Sequence, residues 1–370
     1  MTPLFTLGSL YVTPYSLLVF AGALAGVLLC LRKKQIRPLL PAVIFGALVF
    51  GHVFWVLFCP ADLEAPEGIG WMMLRPWQGG YSLYGALLGG ALGALAACKP
   101  AGVRWLDALD ALAPGACAVL FFARIGEYFT GEGIGRWTEL EWTHFFPLSV
   151  CTYQDEYFQE WRYVVWFWEA LTALGLLFLL LRQERKNAPS GHQTVLFLTV
   201  LGCTQILLEQ MRQDHYLRII TFVRVNQLAA LATLIAVLIT LLVRRRPGTA
   251  KVFWSLAVLV LASLADMASE FVFDKFEYAP WMYISMPLAV LAAGAMLWVW
   301  RGKKGLVPAL LICLAAAALL AGYASKAWDD FEMEPIEEAL RFHLLYGTMA
   351  VDMLCIGLAI HLNLKGEPES

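Results

Sequence analysis

Eleven apolar runs dominate the chain, at about 9–31, 41–59, 82–98, 107–126, 162–181, 194–211, 226–243, 252–273, 281–300, 306–323 and 342–361. A helix needs about 20 mostly apolar residues to cross a hydrocarbon core, and in lipid its backbone must satisfy its own hydrogen bonds. Runs of this length and number predict an all-α polytopic membrane protein. Composition agrees, with 60% of the 370 residues hydrophobic and 15% charged, where soluble domains carry about 25% charged residues. The formal net charge of -2 supplies no basic field for nucleic acid, so the expected partners are lipids or membrane-delivered substrates. The first run has no basic segment before it and no small-residue cleavage site after it, and reads as a retained helix.

Orientation follows from the connections, because Lys and Arg concentrate on the cytoplasmic side. One alternating set is short and basic: L-R-K-K-Q-I-R at 31–37, Lys99 with Arg104, Arg182 to Lys186, Arg244 to Arg246 with Lys251, Arg301 to Lys304, and Lys365. The opposite set, 60–81, 127–161, 212–225, 274–280 and 324–341, is richer in Trp, Tyr, Asp and Glu. The alternation places the N-terminus outside and the C-terminus inside. Most of the eight Cys fall in apolar runs, where Cys behaves as a small apolar residue. Cys59 and Cys151 sit at the outer face, where a disulfide could survive; the alternative is two unrelated thiols. No Cys or His spacing matches a metal site.

Three polar sets break the apolar pattern. The densest is F-F-A-R-I-G-E-Y-F-T-G-E-G-I-G-R at 121–136, with Arg124, Glu127, Glu132 and Arg136 among Gly126, Gly131, Gly133 and Gly135. Charge at membrane depth is costly and persists where it pairs, lines a wet cavity or does chemistry. A helix dissolving into a glycine-rich loop can offer backbone N–H groups and a guanidinium fork to a lipid phosphate. The alternative is an interfacial ion pair, since Arg124 and Glu127 stand at i, i+3. The second set, T-Q-I-L-L-E-Q-M-R-Q-D at 204–214, puts Gln205, Glu209 and Arg212 on one helical face, which must turn inward from lipid. The third, W-Q-G-G-Y-S-L-Y-G at 77–85, opens a run with Gly85, Gly89 and Gly93 four residues apart, a close-packing pattern. Trp77 and Tyr81 fit an interfacial belt, which leaves Ser82 and Tyr84 as polar groups facing a shared cavity.

Taken in order, W-Q-G-G-Y-S-L-Y-G, D-A-L-A-P at 110–114, the Arg124 signature and E-Q-M-R-Q-D resemble the prolipoprotein diacylglyceryl transferases of bacteria, over roughly the first 245 residues. The resemblance implies a seven-helix diacylglyceryl-transferase-like core at 1–246 with an outward-facing head segment at 127–161, followed at 247–370 by about four additional C-terminal transmembrane helices of unassigned role. It implies transfer of the diacylglyceryl group of phosphatidylglycerol to the thiol of a prolipoprotein's lipobox cysteine, at the outer face of the bacterial cytoplasmic membrane. Glycerol phosphate is released, and neither metal nor cofactor is implied. Arg124, Glu132, Gly135, Glu209 and Arg212 match the family pattern, and Tyr15 resembles a tyrosine of its first helix.

Other positions depart from that pattern: Tyr84 stands where the family carries His, Glu127 where it carries Asn, and Gln205 where it carries Arg. W-F-W-E at 166–169 takes the place of Q-L-Y-E. One Arg lost and one Glu gained move the site two charges toward negative. At about 4 Å and an effective dielectric near 20, each such interaction is worth up to about 4 kcal/mol. An anionic donor is therefore held less well unless Glu127 pairs with Arg124 or Arg136. A phenol is a poorer general base at neutral pH than an imidazole, although it can donate a hydrogen bond to a leaving phosphate oxygen.

Three readings stand at this point. In the first, a divergent transferase clamps the phosphate with Arg124 and Arg212 while Tyr84 and Glu132 orient the reacting groups, and Tyr15, Ser82, Glu127, Gly135, Arg136, Gln205 and Glu209 bind substrate. The second is a lipid-modifying transferase with another donor or acceptor. The third is a non-catalytic relative that binds lipid or lipoprotein. Beyond residue 250, Asp266, Glu270 and Asp274 share one helical face and Asp352 lies midway through the last run. These acids mark a proton or cation path, or pair with Arg or helix N–H groups. His343 stands near that run's outer end, and 328–341 reads as an acidic amphipathic helix. His52 reads as a hydrogen-bonded core residue, while His144, His192 and His215 carry no assigned role.

Overall fold

A computed structural model describes residues 4–7, 10–58, 73–74, 80–138, 140–155, 158–184, 189–213, 218–220, 223–245, 249–275, 346–347 and 349–361. Its main helices are α1 (Pro14–Leu31), α2 (Leu40–Phe58), α3 (Leu83–Ala101), α4 (Trp105–Thr130), α5 (Val165–Glu184), α6 (His192–Met211), α7 (Val225–Arg245) and α8 (Thr249–Lys275). Among the described residues seven helices are long and apolar enough to cross a membrane. They coincide with the first seven apolar runs. Of the four further runs, the first is α8 and the last includes a short apolar helix, Met349–His361. The runs at 281–300 and 306–323, the 328–341 segment and His343 lie outside the described residues, as do Trp77, Cys59 and His215.

The chain divides into two units, the first comprising Met1–Gly135, Val164–Phe197 and Gln213–Leu217. It begins with a short antiparallel pair, β1 (Phe5–Leu7) and β2 (Leu10–Val12). Helix α1 then starts cleanly: Thr13 Oγ1 accepts from Ser16 N at 3.2 Å, Ser16 Oγ accepts from Thr13 N at 2.9 Å, and Pro14 fills the first helical position. That is a reciprocal cap on otherwise orphaned N–H groups. The basic connection at 31–37 tightens into a 3-10 turn, Lys34–Leu39, whose Ile36 and Leu39 are fully buried against Cys30, Ala94, Cys98 and Ala108.

Small residues let these helices approach closely. A Cβ on Gly26 of α1 would stand 2.8 Å from the Gly115 carbonyl of α4, and one on Gly85 of α3 would stand 2.6 Å from the Phe50 carbonyl of α2. The four-residue glycine spacing of α3 is thus a packing seam against α2, as its pattern implies. At the other end of the helices, Asp110 of α4 accepts from Gly191 N at 2.7 Å, Thr194 N at 2.8 Å and Thr194 Oγ1 at 2.6 Å. This caps the start of α6 from a distance.

The second unit comprises Arg136–Tyr163, Leu198–Arg212 and Arg218–Ser370. Its hairpin pairs β3 (Ser149–Gln154) with β4 (Gln159–Tyr163), with the register shifting between Cys151 and Tyr153. Beneath the hairpin a knot of hydroxyls is buried: Tyr163 donates to Thr138 Oγ1 at 3.0 Å, Thr138 and Thr143 hydroxyls are 2.9 Å apart, and Ser149 Oγ donates to the Thr143 carbonyl at 2.6 Å. His144 stacks on Trp161 with ring centroids 4.9 Å apart. Cys151 is an exposed free thiol. A further short pair, β5 (Arg218–Ile220) and β6 (Val223–Arg224), leads into α7. Gly202 of α6 meets Leu234 of α7, and Gly357 of the last helix meets Cys203 and Thr199 of α6.

Candidate active site

The first part of the Arg124 signature, through Thr130, lies in α4, so the first turn of the expected 127–161 head segment is still helix. Arg124 Nη1 donates to the Glu127 carboxylate one turn ahead, and its Nε lies 3.3 Å from Glu169 Oε2 on α5. The Glu127 and Glu169 side chains are nearly closed to solvent, at 8% and 2% exposure. Two carboxylates flank one guanidinium, so the trio is formally one charge negative. Glu127 is paired with Arg124, but it shares that guanidinium with Glu169.

Glycine shapes the end of this helix. Thr130 Oγ1 donates to the Glu127 carbonyl at 3.0 Å and accepts from Glu132 N at 3.2 Å. Gly131 and Gly133 then take φ of 74° and 66°, the left-handed region open to glycine at little cost. A Cβ on Gly133 would lie 2.5 Å from Glu127 Oε2 and 2.7 Å from the Trp166 Cβ. The loop is sewn down by Trp166 N donating to the Gly133 carbonyl at 2.9 Å and Gln213 N to the Ile134 carbonyl at 3.0 Å. Glu132 itself is exposed, Gly135 is buried, and the Arg136 carbonyl accepts from Tyr163 N at 3.1 Å.

Tyr15, near the start of α1, packs on α4 where Gly126 leaves room: a Cβ there would stand 2.8 Å from Tyr15 Cδ2. The structure thus brings Tyr15 to the same turn of α4 as Arg124 and Glu127. Tyr84 is buried in the first turn of α3. Ser82 caps that helix, its Oγ accepting from Gly85 N at 3.3 Å, so its hydroxyl has a structural task. His52 is buried with Nδ1 3.1 Å from the Gly80 carbonyl, the hydrogen-bonded core residue its position implies.

In the second unit Gln205 and Glu209 lie buried on the inward face of α6, and Arg212, one residue past its end, is buried too, at 1% exposure. Arg224 ties this face together, donating to the Arg212 carbonyl and standing 3.8 Å from Glu209 Oε1. Gln227 of α7 donates to the Ile206 carbonyl at 3.3 Å and to Gln210 Oε1. Sequence reasoning missed Arg224, Gln210 and Gln227, and passed over Glu169 as a ligand of Arg124. Arg224 and Gln227 stand at i, i+3 as the chain enters α7, and Glu169 is an acid inside an apolar run; both signals were present. Among the C-terminal acids Asp266 and Asp352 are buried. The side chains of Glu270 and Asp274 lie outside the described residues.

Comparison with known proteins agrees with this layout. Residues 2–243 match the profile of the family described as prolipoprotein diacylglyceryl transferase. The chain is 29% identical over 246 residues to the phosphatidylglycerol–prolipoprotein diacylglyceryl transferase of Gloeobacter violaceus, covering 62% of this chain and 87% of that one. It is 29% identical over 227 residues to the protein of that name from Parasynechococcus marenigrum, covering 57% and 80%, and 27% identical over 256 residues to that of a Nostoc species, covering 65% and 89%. With seven apolar helices in the matched region, the chain is a multi-pass membrane protein. It belongs to the prolipoprotein diacylglyceryl transferase family.

Proposed function

We propose that this chain transfers the diacylglyceryl group of phosphatidylglycerol to the thiol of a lipobox cysteine in a prolipoprotein, at the outer face of the bacterial cytoplasmic membrane. In that step the cysteine sulfur bonds to the glycerol carbon, the bond from that carbon to the phosphate oxygen breaks, and glycerol phosphate leaves. The thiol proton is released as the sulfur becomes nucleophilic. The observation that carries this reading is the buried Arg124 of α4, held by Glu127 and Glu169 beside a glycine loop, within a region that matches the family throughout.

In this reading Arg124 and Arg212 bind the donor phosphate, Tyr84 donates a hydrogen bond to the leaving oxygen, and Glu132 orients the acceptor. Tyr15, Ser82, Glu127, Gly135, Arg136, Gln205 and Glu209 contribute to substrate binding. The basic connections place the N-terminus outside and the C-terminus inside. In this reading the transferase core is 1–246, with 247–370 an addition of unassigned role beyond the family match, which ends at residue 243.

Purified protein in bilayers containing phosphatidylglycerol should add one diacylglyceryl group to a lipobox peptide, read by mass spectrometry. A second reading, a transferase drawing on a less anionic donor, is favoured by the two carboxylates on Arg124. Phosphatidylethanolamine supplied in place of phosphatidylglycerol separates the two.

A further inference from the structure

We propose that Glu127 is an internal competitor for the donor headgroup: its carboxylate occupies the part of Arg124 that a phosphate would take, and so sets how tightly the site holds an anionic lipid. The inference rests on the transferase reading and deepens it. Guanidinium offers five N–H donors in a planar fork suited to carboxylate or phosphate. Here Nη1 serves Glu127 and Nε faces Glu169. A phosphate arriving beside them makes three anionic groups around one cation, in a site with little water to screen them. One carboxylate has to give way.

The two carboxylates differ in how readily they can do so. Glu169 reaches Arg124 from α5, is 2% exposed, and links one helix to the next. Glu127 lies on Arg124's own helix, one turn from the left-handed Gly131 that ends it. Its carboxylate lies against Gly133 of the loop. Swinging Glu127 away leaves Arg124 still paired with Glu169, so the guanidinium is not stranded in a dry site. Return of Glu127 to Arg124 would then help expel the phosphate product. Glu127 acts through Arg124 and is a positioning residue that tunes affinity in both directions.

The test uses the full-length chain in phosphatidylcholine nanodiscs. Binding of glycerol 1-phosphate is measured by calorimetry, and KM and kcat are measured with graded phosphatidylglycerol and a lipobox peptide. Glu127→Gln should bind glycerol 1-phosphate about tenfold tighter, corresponding to about 1.4 kcal/mol, and should lower KM for phosphatidylglycerol without raising kcat. Glu127→Asp, whose shorter carboxylate draws back from Arg124, should fall between wild type and Gln, and it serves if the Gln variant does not fold. Glu169→Gln, which keeps Glu127 on Arg124 Nη1, should tighten binding less than Glu127→Gln. A folded Gln or Asp variant that binds glycerol 1-phosphate no more tightly than wild type overturns the proposal. If wild type transfers lipid while that result is obtained, the competitor role fails and the transferase reading stands. If binding tightens in a chain that transfers nothing, the competitor role stands and the transferase reading fails.

Discussion

Arg124 of α4 and Glu169 of α5 face each other with Nε 3.3 Å from Oε2, tying the helix that carries the family signature to the helix that follows the head segment. The Glu169 side chain is 2% exposed, so the charge it offers is not screened by solvent. Glu169→Gln removes a charge-assisted contact while Glu127 continues to balance Arg124. We expect a loss of about 1.5–3 kcal/mol, seen as a lower unfolding temperature in detergent, with transfer activity reduced alongside it. An unchanged melting temperature would show that the contact adds nothing to the fold.

Gly133→Ala should be harmful in two ways. The backbone there holds φ of 66°, which costs a non-glycine residue of order 1–2 kcal/mol. The added methyl would also stand 2.5 Å from Glu127 Oε2 and 2.7 Å from Trp166 Cβ. Both effects distort the loop between Glu127 and Trp166 that ends the Arg124 helix, so transfer should fall at least tenfold, equivalent to about 1.4 kcal/mol in the barrier. Gly175→Ala, where an added methyl meets nothing within 4 Å, is the control in steady-state assays.

Much of the membrane layout was legible because each apolar run is long enough to demand a helix. The run at 107–126 nonetheless falls short of the helix Trp105–Thr130 at its C-terminal end. Hydropathy stops counting at Glu127, whereas the fold carries the helix on to Thr130 with Glu127 paired to Arg124. The pair Gln205 and Glu209 was readable from spacing alone, since a single helix fixes which residues share a face, whereas Arg212 falls one residue past the helix end. Glu169 and Arg224 were not recognised as partners, because their contacts depend on how separate elements pack. The β3–β4 hairpin was equally opaque: its hydroxyl knot joins Thr138 to Tyr163 across a long stretch of chain, with no alternating apolar pattern to announce it.

That knot gives a pH-dependent prediction. Burial pushes the Tyr163 phenol above its usual value of 10.0, against the opposing pull of hydrogen bonds with Thr138 and Thr143. The unfolded chain therefore loses this proton first as pH rises. The stability held by the neutral phenol is complete below about pH 10, and is lost as pH climbs from there through the higher folded value. Tyr163→Phe removes the 3.0 Å hydrogen bond to Thr138 and should cost about 1 kcal/mol at neutral pH, while showing a shallower alkaline loss. Chemical denaturation followed at neutral and alkaline pH reads both effects; an equally steep alkaline loss in the Phe variant would assign that loss to other groups.

The central claim is that Arg124 serves diacylglyceryl transfer, and mass spectrometry of a lipobox peptide tests it most directly. The peptide is incubated with the purified chain in bilayers containing phosphatidylglycerol. Wild type should add one diacylglyceryl mass to the cysteine, and Arg124→Ala, which leaves Glu127 and Glu169 without their shared cation, should add none. A folded wild-type chain that leaves the peptide unmodified, or an Arg124→Ala variant that modifies it at the wild-type rate, would contradict the account.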